Sequence, residues 1–234
     1  MDFRLQEPER KKFIASLFQS TQIESYFEKI KDFKVKQSRQ EPVQALLQDF
    51  FCAPALSLRQ VAQAIHHLGL VFASLRSDER SFETVAAVAL ILRTFVPDSY
   101  YRFCRGEISD LNLVDVVFDR PGIRTTLRGR PAGALFESVI VASAFEISGT
   151  HELAWSPGLS RLWDKYKKTI EAGGSGDTAS QNEVSYASEV IRHIEIFRGR
   201  FANYGTVGFR CSVERIELLL PGLIREPEVE KTSS

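Results

Sequence analysis

Three cysteines in 234 residues, Cys52, Cys104 and Cys211, are too few, too far apart and odd in number to build a disulfide framework, and no CxxC pair marks a zinc site. A reducing, cytoplasmic setting is the expectation. Charge of one sign is also lacking. Thirty basic residues balance thirty acidic ones, so no global field directs the chain to nucleic acid or to an anionic membrane. Long apolar runs are missing too: the longest, residues 85–92 in TVAAVALILRTF, stops at Arg93 and falls far short of the roughly 20 residues that span a bilayer. The N-terminal MDFRLQEPERKK is polar where a secretory signal needs an apolar stretch, so export by that route is not expected.

Several chemical signatures are absent as well. The sequence has no GxxxxGK followed by Ser or Thr, no GxGxxG at a strand-to-helix turn, no HExxH and no GxSxG. His66 and His67 are adjacent, which on a helix points them about 100° apart, so they do not pair on one metal as an i,i+4 pair does.

What is present is helical periodicity over a composition that is 44% hydrophobic and 26% charged, enough for a sizeable core. After a short DFRLQ that could form a strand, Phe13, Ile14, Leu17 and Phe18 recur at helical spacing with acids before them. Further helices are predicted in TQIESYFEKIKDF, in EPVQALLQDFF, from Ser57 onward, and over about residues 78–95 before Pro97. PDSYYRFCRG and SDLNLVDVVF read as two short helices, closed by Gly106 and capped near Ser109, with Tyr100, Tyr101 and Phe103 packing inward. RPGIRTTLRGRPAG shows no clear period. Helices resume in ALFESVIVASAFEIS and in PGLSRLWDKYKKTIEAG, the latter with Pro157 near its start and Gly173 after its end. Trp155 and Trp163 are expected to pack beneath the C-terminal segment. GGSGDTASQNE reads as a linker, EVSYASEVIRHIEIFRGRF and SVERIELLL as two last helices, and REPEVEKTSS as a disordered tail. The predicted divisions are 1–55, 56–172, a linker at 173–182, 183–223 and a tail at 224–234.

Two places draw a functional question. Arg120, Arg124, Arg128 and Arg130 lie in a stretch with no acid between Asp119 and Glu137, which could clamp phosphates through guanidinium forks or could meet acids elsewhere in the fold. In ALSLRQVAQAI, Ser57 and Gln60 form a capping box, which places Arg59 in the first helical turn. There the helix dipole disfavours a cation by roughly 0.3–1 kcal/mol.

Two ordered stretches resemble one family. FRLQEPERKKFIASLF is similar to the segment after the nucleotide-binding core of the KAP-family P-loop NTPases, where a last strand of the form F-R-L-P-E-P-D leads into a helix. LSLRQVAQAIHHLGLVFASL is similar to that family's downstream L-S-L-R segment, and the likeness extends over about residues 2–110, including YYRFCRGEISDLNLVDVV. Gln6 stands where the family usually has proline. The resemblance implies that the chain runs from the final strand of a P-loop core through the helical lid, with ATP and Mg belonging to a full-length parent. It implies that Arg59 is the lid arginine that reaches the terminal phosphate of ATP, an otherwise unfavourable cation made useful by an anion at the same helix start. It also implies ATP-dependent switching in defence against phage or in membrane-associated signalling complexes. Walker A and Walker B elements are absent, so this chain alone is not expected to be an enzyme or to hold a cofactor.

The expectation is therefore an all-α, multi-helix orthogonal or bundle array with a short N-terminal strand, working with a missing P-loop core or a protein partner. Any attachment to a membrane would come through a parent or partner. The alternatives are a free-standing helical protein-interaction module and, more weakly, nucleic-acid binding through Arg120 to Arg130.

Overall fold

The computed structural model describes residues 6–23, 40–53, 56–74, 83–120, 122–147, 157–174, 181–204 and 209–220. The fold is all-α: these residues form eleven helices and no strand. They are α1 (Glu7–Ser20), α2 (Gln40–Phe51), α3 (Leu58–Ser74), α4 (Glu83–Phe95), α5 (Pro97–Cys104), α6 (Asp110–Phe118), α7 (Ile123–Leu127), α8 (Pro131–Ile147), α9 (Pro157–Gly174), α10 (Gln181–Tyr204) and α11 (Phe209–Leu219). The expected N-terminal strand apart from Gln6, the second helix except its first residues, the whole C-terminal tail and Trp155 fall outside the described residues, as do the side chains of Trp163 and Cys211.

Two helices organise the rest. Every side chain of α4 from Val85 to Arg93 is buried, and α8 is buried from Ala132 to Ser143. A helix that is apolar all round must be surrounded by others. Around α4 pack α2, α3, α5, α8 and α11; around α8 pack α2, α4, α6, α7, α10 and α11. Amphipathic helices supply the cover, each burying one stripe: Ile14 and Phe18 from α1, Leu46, Leu47 and Phe50 from α2, Val61, Ile65, Leu68 and Phe72 from α3. Phe50 ties three of these helices together, with ring centroids 5.4 Å from Phe95 and 5.7 Å from Phe136. Such aromatic pairs add to the area they bury by about 0.5–1.5 kcal/mol each.

The short helices end where the sequence punctuates them. Pro97 closes α4 by beginning α5, where its missing N–H costs nothing because a first-turn donor has no partner. Gly106, at φ 72°, ends α5 in a left-handed turn: its N–H donates to Phe103 O at 2.9 Å and the next N–H, from Glu107, to Arg102 O at 2.8 Å. Ser109 caps α6, its Oγ accepting from Asn112 N–H at 3.2 Å. Tyr100 and Phe103 are buried in the core as expected, and Tyr101 is half-buried against it.

The stretch predicted to lack period contains α7 and the first turn of α8. Apolar Ile123 and Leu127, both buried, are four apart, which is one helical turn but too short a run to show periodicity. The predicted linker is also shorter in the structure. Helix α9 runs through Gly173 to Gly174 and α10 begins at Gln181, and α10 lies against both α9 and α8, its contact with α8 the most extensive between any two helices. A second apolar cluster forms there from Ala134 and Val141 of α8, Tyr166 of α9 and Tyr186, Ala187, Val190 and Ile194 of α10. Ser138 is fully buried between the two helices and remains satisfied, its Oγ 2.5 Å from Ala134 O and 3.1 Å from Val190 O.

Candidate functional site

The start of α3 has the predicted Ser57 cap, but the Gln60 side chain bonds the Ser57 hydroxyl in place of the Ser57 backbone N–H, so the capping box is half formed. Gln60 N–H donates to Ser57 Oγ at 3.2 Å, and the Ser57 hydroxyl donates to Gln60 Oε1 at 2.9 Å. Arg59 stands exposed on this first turn and makes no ion pair or hydrogen bond among the described residues. The approach to the turn is held from α1. Arg10 donates from Nε to Phe51 O at 2.9 Å and from Nη2 to Leu56 O at 2.6 Å, clamping the end of α2 to the residue before the cap. Thus a capped helix start carries a solvent-facing cation. On the same helix His66 is exposed and His67 half-buried. Burial, together with the positive charge of Arg93, depresses the pKa of His67. Among the described residues no group of three His, Cys, Asp or Glu side chains is placed to hold a metal ion.

The four arginines of residues 120–130 do not share one role. Arg124 pairs with Asp119 and Arg130 faces Asp49 at 3.9 Å. Arg128 is exposed, and its charge is felt by the buried Glu137. Arg120 is half-buried, and burial lowers its guanidinium pKa.

Arg130 leads to a cleft of about 310 Å3 between α1, the end of α2 and α7. Its walls carry Arg10 and Lys11 from α1, Asp49 from α2, and Thr125 and Thr126 from α7. Glu7, at the edge, pairs with Lys11 at 2.7 Å, and Lys11 in turn holds the Glu7 carboxyl below its usual range. Asp49 is shifted the other way, because burial outweighs the attraction of Arg130 and Lys11. The neighbouring thiol of Cys52 is pushed up by burial, which outweighs the nearby Lys11 and Arg10 charges, so it lacks the accessible, thiolate-favouring setting of a reactive cysteine.

Among the described residues, three of the buried charged side chains join separate helices and were not singled out from the sequence. Arg10 is one; Arg93 of α4 and Glu137 of α8 are the others, each 5% exposed. Arg93 grips the far end of α11, its Nε 2.8 Å from Glu217 Oε1, its Nη2 3.3 Å from Oε2 and 2.9 Å from Leu220 O. The Tyr101 hydroxyl lies 3.3 Å from the same carboxylate. Glu137 accepts from Tyr166 Oη at 2.5 Å and from Tyr186 Oη at 2.7 Å, joining α8 to α9 and α10. Burial raises its pKa despite those two donors. A signal existed for all three, because each is a charged residue at an apolar register: Arg10 four residues before Ile14, Arg93 ending an apolar run, Glu137 within another.

A further hollow of about 240 Å3 lies between α2, the start of α8 and α10, with apolar walls from Ala45, Pro131, Ala132 and Leu135. At its edge Arg192 Nη2 donates to His193 Nε2 at 2.9 Å. Burial and the Arg192 charge lower the His193 pKa, so the ring is neutral near pH 7. Comparison with known protein families, curated proteins and solved structures finds no match. No helix among the described residues is long and apolar enough to cross a membrane.

Proposed function

We propose that the chain is the lid and C-terminal helical region of a KAP-type ATPase, and that it couples ATP-dependent closure of a P-loop core to a partner. The observation that carries the reading is Arg59: an exposed cation with no ion pair among the described residues, on the first turn of a helix whose cap and approach are both fixed. Helix starts favour anions through their free N–H groups and dipole, and a guanidinium beside them adds a charge-assisted, bidentate contact to a phosphate. A phosphate arriving at Arg59 pulls on α3, which packs on α1 and on the central α4. Through that contact, closure at the nucleotide would reach the rest of the helical array. The 234 residues contain no phosphate-binding loop, so the nucleotide and its Mg ion belong to a core outside them.

The test begins with the messenger RNA that carries this reading frame. The reading expects an upstream segment encoding GxxxxGK followed by Ser or Thr. In the full protein, Arg59→Ala lowers MgATP turnover by at least about tenfold while nucleotide binding changes little, the pattern of a group that acts on the transferred phosphate. A gene without such a segment overturns the proposal. So does calorimetry in which the 234-residue chain alone binds MgATP at about 10 μM or tighter.

A free-standing protein-interaction module is the second reading, favoured by Leu70, which is 55% exposed on α3. Under it, Leu70→Glu abolishes capture of a specific partner and Arg59→Ala leaves that capture intact.

A further inference from the structure

Among the described residues, Arg10 is a buried cation held only by neutral groups. It is 5% exposed, its described partners are the Phe51 and Leu56 carbonyls, and no carboxylate among the described residues lies within ion-pair distance. A guanidinium cannot shed its charge, and a buried charge without a counter-ion is costly. Arg10 lines the 310 Å3 cleft, a space near the lower end of the range for small-molecule pockets.

The other lining groups indicate what the space suits. Arg10, Lys11 and Arg130 stand against Glu7 and Asp49, leaving one positive charge in excess. Lys11 is already occupied by Glu7 at 2.7 Å. Arg130 is not: it stands 3.9 Å from Asp49, beyond hydrogen-bond length. Its donors therefore remain available to an oxyanion. Thr125 and Thr126 donate their hydroxyl protons to Gly122 O at 3.1 and 2.7 Å. A hydroxyl with its proton so used can only accept, and so can the Asp49 carboxylate. The cleft thus offers both cationic donors and acceptors, with the Asp49 carboxylate lying beside Arg130.

We propose that this cleft binds a small phosphorylated, hydroxyl-bearing molecule, its phosphate on Arg10 and Arg130 and its hydroxyls on Thr125, Thr126 and Asp49. The site is distinct from Arg59 and does not depend on the role proposed for that residue. A volume of about 310 Å3 matches a small free metabolite.

The test is a titration of the isotopically labelled chain with inorganic phosphate and, separately, with glycerol phosphate, following the Arg10 Nε–H resonance by NMR. Arg10 itself is a poor position to vary, because its side chain holds two backbone carbonyls. Exposed Arg130 is the better choice. Both ligands are expected to shift Arg10 saturably, with glycerol phosphate bound at least about threefold more tightly; Arg130→Ala weakens both by about tenfold and Arg59→Ala changes neither. No saturation by about 20 mM of either ligand overturns the site, as does an identical curve in Arg130→Ala or with sodium chloride at equal ionic strength. Glycerol phosphate binding no tighter than inorganic phosphate overturns the assignment of the acceptor side.

Discussion

Replacing Gly133 by alanine sets two opposed effects against each other, and the structure decides which wins. In a helix interior alanine is favoured over glycine by about 0.8–1.0 kcal/mol, an upper bound for Gly133 in the first turn, so a propensity argument predicts that Gly133→Ala stabilises α8. Yet a Cβ at this position would lie 2.1 Å from the Leu127 carbonyl oxygen and 2.7 Å from its carbon. That carbonyl belongs to the end of α7 and accepts the Arg130 N–H at 3.0 Å, within a turn that passes through Gly129 at φ 81°. It would have to retreat by about 1.3 Å to reach the 3.4 Å at which ordinary contact begins. Overpacking of this kind costs about 1–3 kcal/mol, and loosening the turn's hydrogen bond about 0.5–1.5 kcal/mol more. After the helix-propensity gain, Gly133→Ala is expected to destabilise by about 1–3 kcal/mol and to lower Tm by roughly 3–10 °C. Gly69→Ala is the control. There the nearest atoms stand at 3.3 and 3.4 Å, on Thr21, so the propensity gain and mild crowding nearly cancel, leaving stability within about 1 kcal/mol of the parent. Urea and thermal unfolding of the two variants measure the difference. A Gly133→Ala protein as stable as the parent, or more so, would refute the close approach of α7 to α8.

Removing the Glu217 carboxylate with Glu217→Ala strands the buried guanidinium of Arg93 and is expected to cost about 2–4 kcal/mol, with hydrogen exchange accelerating first in α11; unchanged exchange there would refute the clamp. For Glu137 the folded pKa lies above the unfolded one, so its contribution is complete below about pH 4.3 and is lost as pH rises through the folded value. Glu137→Gln should therefore gain stability relative to the parent between pH 4 and pH 8 in urea titrations, and a gap that stays constant or narrows would contradict the raised pKa. Ser57→Ala should cost about 1 kcal/mol through the lost cap, whereas Arg59→Ala should change stability by no more than about 0.5 kcal/mol; equal losses in thermal unfolding would show that Arg59 has a structural role.

The candidate residues differ in how far the sequence revealed them. Ser57, Gln60 and Arg59 were legible because a cap is local: four consecutive residues contain both partners. The fates of Arg124 and Arg130 were half legible. The acid paired with Arg124 lies five residues away, but the one facing Arg130 is Asp49, brought up by the packing of α2 against α7 and α8. The cleft around Arg10 was not legible at all, since its walls come from three helices and its buried guanidinium is satisfied by carbonyls 41 and 46 residues away.

The sequence by itself determined most of the elements, the short α7 being the exception. Apolar spacing, Pro97, Gly106 and the serine caps mark helix and boundary through forces that act within one or two turns, and the all-α array follows from their succession. Only the tertiary structure decided which helix lies against which, that α10 returns to α8 rather than standing apart beyond a linker, and that Arg10, Arg93 and Glu137 are sealed inside with their partners. Periodicity says that a face is buried but not what buries it. A charged residue on such a face is costly or well held according to groups far away in the chain, which folding alone brings into reach.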